Sequence, residues 1–176
     1  SSEVHRGYEW LSDKDALAIT TYVGSLPGVE NVVARRELST IDRNTTGLFD
    51  SRKSASGFIP SIDPRHQLEY GKYLVDHVAR CTRCHNLPAT FVNGQGYLAG
   101  GLEIDGPQGK KLTPDITSNK ISGLADWSEV QIVNYLRTGA APDGGQISSD
   151  YCPTNFYKNA NEEDLARIAS YLKSIK

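Results

Sequence analysis

Five consecutive residues, Cys81-Thr82-Arg83-Cys84-His85, constrain this chain more than anything else in it. In the C-x-x-C-H arrangement two thiols stand three positions apart on one helical turn, and an imidazole follows at once. Thiols so placed can add to the two vinyl groups along one edge of a haem while the histidine reaches the iron from below, which is the pattern of c-type haem attachment. The competing readings are a thioredoxin-like redox pair, half of a zinc site, and chance. A redox pair belongs in a βαβ context that is absent here, and zinc needs a second ligand pair at knuckle spacing.

The cysteine count agrees with a cofactor. Cys81, Cys84 and Cys152 are three, an odd number that argues against a disulfide framework. Of the 176 residues 38% are hydrophobic, enough for one ordinary domain and an extension to build a core. A net charge of −2 with acids and bases interspersed excludes the basic stripe of a nucleic-acid binder. No apolar run approaches the roughly 20 residues that span a bilayer, and no export signal opens the sequence. Because methionine is missing altogether, the expectation is that the start of the gene product, with any signal or anchor, has been removed.

Periodicity divides the rest. Residues 12–26 read as a helix capped by Ser12, with Ala16, Ile19, Val23 and Leu26 on one face and Pro27-Gly28 as its stop. Residues 29–67 lack sustained periodicity and read as a linker or wrapping loop. A second helix over 69–81, with Tyr70, Tyr73, Leu74 and Val78 inward, delivers the chain to Cys81. Residues 86–126 read mostly as loop. Ser128 and Gln131 form a capping-box pattern that opens a third helix ending at Thr138, with Gly139 beyond it, and Asn161 caps a fourth with the stripe Leu165, Ile168, Leu172, Ile175. Asp15, Ile19, Tyr22 and Ser25 recur in the same register as Asp164, Ile168, Tyr171 and Ser174. This implies that residues 1–28 are the tail of a preceding domain, 29–67 a linker, and 68–176 a complete haem domain. The alternative is that any two amphipathic helices look alike.

Three stretches resemble bacterial class I cytochromes c, above all the cytochrome subunits of membrane-bound alcohol, aldehyde and gluconate dehydrogenases. They are Gly71-Lys72-Tyr73-Leu74 leading to the C-x-x-C-H motif, Asp115-Ile116-Thr117 followed by Gly123-Leu124-Ala125-Asp126-Trp127-Ser128, and Glu163-Asp164-Leu165 leading to Tyr171-Leu172. The family writes the second as N-I-T and G-L-G-x-W-S, so Asp115 and Ala125 depart from it. The resemblance implies an all-α wrap around one haem c, here with an N-terminal helix and long loop added. Its first and last helices cross where Gly71, having no side chain, admits the Tyr171 face.

The same resemblance raises the question of the sixth ligand. Where the family places Met-Pro, this chain has Cys152-Pro153, which makes Cys152 the candidate opposite His85. A bound metal deprotonates a thiol, and a thiolate donates far more charge than a thioether, so the expected reduction potential is low. The alternative is a free cysteine packed as a small hydrophobe. His77, His66, His5, Tyr151 and Lys158 are weaker donors. Trp127 and Tyr97 are expected to wall the haem crevice, Trp127 offering its indole N–H to a propionate.

No carboxylate pair, Ser-His-Asp arrangement or phosphate-binding loop is present, so no catalytic residue is assigned. The leading reading is a one-electron carrier working with a redox partner or a larger complex, in the periplasm or on the outer face of the cytoplasmic membrane. Membrane association through a partner or a removed segment stays open. The rival is an enzyme resembling thiosulfate dehydrogenase, in which a His/Cys-ligated haem is catalytic. A third class keeps the haem for structure or regulation.

Overall fold

In a computed structural model, which describes residues 7–32, 39, 57–87, 89, 94 and 96–176, the chain divides into two units, Ser1–Ser61 and Ile62–Lys176. Most of the linker, with His5, lies outside the described residues.

The first unit holds a 3-10 turn, Tyr8–Trp10, and the helix α1, Asp13–Ser25. Ser12 caps α1 by accepting the Asp15 N–H at 3.2 Å, and its own hydroxyl donates back to the Asp15 carboxylate at 2.8 Å. The stripe anticipated for this helix buries nothing: Ile19 is 51% and Val23 59% exposed.

The second unit is largely helical. It opens with α2, Gln67–Tyr73, and a π turn, Leu74–Val78, then α3, Thr82–His85. Next come β1, Glu103–Gly106, and β2, Gly109–Leu112, then α4, Glu129–Thr138, α5, Thr154–Tyr157, and α6, Glu162–Ser174. Leu165, Ile168, Ala169, Tyr171 and Leu172 of α6 are buried. Against them α2 packs Tyr73, and α4 packs Ile132 and Leu136. Where α2 crosses α6, a Cβ on Gly71 would lie 2.3 Å from the Arg167 carbonyl oxygen, so only glycine allows the approach.

The helix expected over 69–81 differs in its second half. Ala79 donates to the Leu74 carbonyl at 2.7 Å, one residue further back than an α-helix allows, and Cys81 donates to Val75 at 2.8 Å. The wider turn shifts the register. Val75 is therefore fully buried where Val78 was anticipated, and Val78 is 41% exposed. Arg80 then takes a left-handed φ of 55° and breaks the helix just before Cys81.

The other departure is the hairpin, in a stretch read as loop. Glu103 pairs with Leu112 and Gly106 with Gly109 in an antiparallel register, with Pro107-Gln108 as the turn. Two four-residue strands, the second with Lys111 half-buried and Leu112 exposed, leave little periodicity to detect, whereas Gly106-Pro107-Gln108-Gly109 is a turn signal. The capping box of α4 is present, and Gly139 ends that helix at φ 74°.

Candidate haem site

The imidazole comes first because the structure fixes its tautomer. His85 Nδ1 lies 2.8 Å from the carbonyl oxygen of Pro114, which can only accept, so Nδ1 carries the proton and Nε2 keeps a free lone pair. Partial burial holds this imidazole below the usual histidine value, against the raising influence of the Pro114 carbonyl.

Pro114 is placed by the chain between His85 and the hairpin. The Gly100 N–H donates to the His85 carbonyl at 2.6 Å, and at φ 71° a Cβ there would strike Pro114 at 2.4 Å, so this position requires glycine. Asn86, next to His85, accepts the N–H of fully buried Leu98, whose φ is 56°. Left-handed residues thus stand on both sides of the motif, each costing about 1–2 kcal/mol that the surrounding packing must offset.

The three cysteines are free thiols, each of them half-buried. Burial pushes the Cys81 thiol up to about 12, with the Cys152 sulfur as the next cause. Cys152 is pushed up to about 11, again by burial first and then by Cys84. The residue expected to face His85 therefore lies near both motif thiols. Tyr135 of α4, which the sequence did not single out, belongs to the same group: burial and then Cys152 push its hydroxyl up to about 12. Its only advance signal was an inward helix position one residue before Leu136. Trp127 meets the Tyr135 ring edge-on at 5.6 Å.

Tyr97 is tied into the helix crossing. Its hydroxyl donates to Asp76 at 2.7 Å and stands 2.9 Å from the Tyr171 hydroxyl, while Lys72 pairs with Asp76. Among the described residues, the weaker donors have other partners or face solvent. His66 pairs with Glu69 at 3.3 Å, His77 packs on Tyr73 at 6.0 Å between ring centres, and Lys158 is exposed. Tyr151 gives its hydroxyl to the hairpin.

A haem fits this donor set: two unpaired thiols on one turn, an imidazole with its outer nitrogen free, and a third sulfur close by. Among the described residues no three of His, Cys, Asp and Glu converge tightly enough to hold a bare ion.

Comparison with known proteins points the same way. No family model matches the chain. It is 36% identical to the diheme cytochrome c-type of Cereibacter sphaeroides over 97% of its own length and 57% of that protein. It is 29% identical to the cytochrome c subunit of alcohol dehydrogenase (quinone) from Gluconobacter oxydans, covering 94% of this chain and 37% of that one. With the fructose dehydrogenase cytochrome subunit of Gluconobacter japonicus it shares 28% identity, over 96% and 35%. The chain is similar to c-type cytochromes, among them the cytochrome c subunits of alcohol, fructose and gluconate dehydrogenases, and it spans between about a third and just over half of the length of the relatives compared.

Proposed function

We propose that residues 62–176 form a class I cytochrome c module with one haem, joined through thioether bonds to Cys81 and Cys84 and ligated by His85 and Cys152. The haem supplies a one-electron couple between ferric and ferrous iron. The chain's own residues do the rest. Pro114 aims His85, Trp127 and Tyr135 line the approach to Cys152, and a thiolate at that position favours the ferric state. The observation that carries the reading is the Nδ1–H of His85 held by Pro114, which leaves Nε2 free to bind iron in a chain whose three cysteines are free thiols. The similarity to dehydrogenase subunits supports a role as an electron-transfer part of a larger complex. Thioether attachment takes place outside the cytoplasm in bacteria, so this reading puts the protein in the periplasm or on the outer face of the cytoplasmic membrane. Mass measurement after acid denaturation tests it: the chain should weigh one haem more than its sequence, and Cys81→Ala with Cys84→Ala should abolish retention. Haem released by acid, or a second haem on this chain, would defeat it.

The helix α1 extends the proposal. It and α6 are both 13 residues long. Ser25 donates to the Tyr22 carbonyl at 2.7 Å as Ser174 does to Tyr171 at 2.6 Å. Yet Ile168 and Tyr171 are buried, while Ile19 and Tyr22 are 51% and 66% exposed. We read α1 as the closing helix of a second haem module in the gene product. The gene should therefore encode another C-x-x-C-H upstream of Ser1, and a signal peptide alone in that place would refute this.

A further inference from the structure

The hairpin lies between the two sides of the proposed site. At its base, Thr113 is buried and binds both ways across the strand ends: its N–H donates to Leu102, and its carbonyl accepts from Gly101 at 2.8 Å. Its hydroxyl also accepts the Leu102 N–H at 3.0 Å. The next residue is Pro114, the partner of His85. At its tip, the Tyr151 hydroxyl accepts the Gln108 N–H at 3.1 Å and donates to the Gly109 carbonyl at 2.7 Å. Tyr151 is 7% exposed, Lys111 sits 4.5 Å above its ring, and a Cβ on Gly106 would lie 2.3 Å from the ring edge. Tyr151 and Cys152 belong to one turn, because both donate their N–H to the Ser148 carbonyl, at 3.0 and 3.3 Å.

We propose that the β1–β2 hairpin is a strut joining the two axial-ligand loops, and that the Tyr151 hydroxyl is the pin that seats Cys152 opposite His85. The inference rests on reading Cys152 as the sixth ligand. The aromatic ring fills the space that glycine leaves at position 106, and the hydroxyl uses both its acceptor and its donor capacity on backbone groups that cannot rotate away. Tyr151 is thus a positioning residue: its hydroxyl is committed to the hairpin backbone and it acts through Cys152.

The test uses the haem-loaded protein. Tyr151→Phe keeps the ring and removes both hydrogen bonds, and Gly106→Ala pushes the ring outward. Ser118→Ala, which removes a hydrogen bond to Lys173 at the far end of α6, is the control for simple loss of stability. Cyanide should displace the sixth ligand from ferric Tyr151→Phe about tenfold faster than from wild type, which is what loss of roughly one to two hydrogen bonds allows. Amide exchange at Gln108 and Cys152 should rise together. Gly106→Ala should behave alike and Ser118→Ala should not. Cyanide rates in both hairpin variants equal to the control would overturn the strut. If the wild type itself lacks a thiolate-type low-spin ferric resonance, the ligand reading fails instead. Coupled exchange at Gln108 and Cys152 would then support the strut alone, and uncoupled exchange would refute it as well.

Discussion

Gly71 and Tyr171 meet so closely that a Cβ on the glycine would lie 2.8 Å from the Cβ of the tyrosine. The contact is backbone on backbone at a helix crossing, so neither side has a flexible chain end that could yield.

Gly71→Ala should therefore lower stability by about 1–3 kcal/mol, as overpacking does, despite the better helix propensity of alanine. Denaturant unfolding measures it. A neutral or stabilising result would mean that α2 and α6 can part without cost.

Cys152→Met should raise the reduction potential by a sizeable part of the roughly 0.8 V that axial ligands span, and it should restore the weak near-infrared band of Met-to-iron charge transfer. Cys152→Ala should leave a site that binds cyanide readily. A potential unchanged in both variants would remove Cys152 from the iron and direct attention to His66 or Lys158.

Asp115 carries a pH prediction. Burial works to raise its carboxyl, but Ser122 at 2.6 Å and the N–H and hydroxyl of Thr117, both at 2.8 Å, outweigh it and hold the group below the ordinary carboxylate value. A depressed folded value means that its stabilisation is complete above the unfolded value of about 3.9 and disappears as pH falls through the folded one. Asparagine, the residue of the related motif, cannot accept from Ser122 on its amide side. Asp115→Asn should cost about 1 kcal/mol at pH 7, and the difference from wild type should shrink below about pH 4. A difference that stays constant down to pH 2 would show that the charge plays no part.

Where sequence and structure agree, the cause is local chemistry. Ser12, Ser128 and Asn161 cap their helices because a short side-chain oxygen before a helix has few better uses, and α6 shows its buried stripe because one face alone meets the core. What escaped detection depends on distant partners. The hairpin is held by Tyr151, 42 positions from Gly109. Pro114 matters only because it lies under His85, 29 positions away. Tyr135 matters only because folding brings it to Cys152. Cys81, Cys84 and His85 stand out as candidates from the sequence alone, since their spacing along one turn is itself the signal.

The π turn at Leu74–Val78 makes the direction in which Cys81 points a matter of counting. Each residue added to a regular helix rotates everything after it by about 100°. A wide turn absorbs one such step, and left-handed Arg80 resets the chain's heading before the motif begins. A deletion of one residue between Tyr73 and Ala79 would give a more regular helix, yet it would turn Cys81, Cys84 and His85 away from Pro114 and Cys152 without altering any of them. In this stretch the chain's length carries information that no single side chain holds, and natural variants should tolerate substitution there far better than a change in residue number.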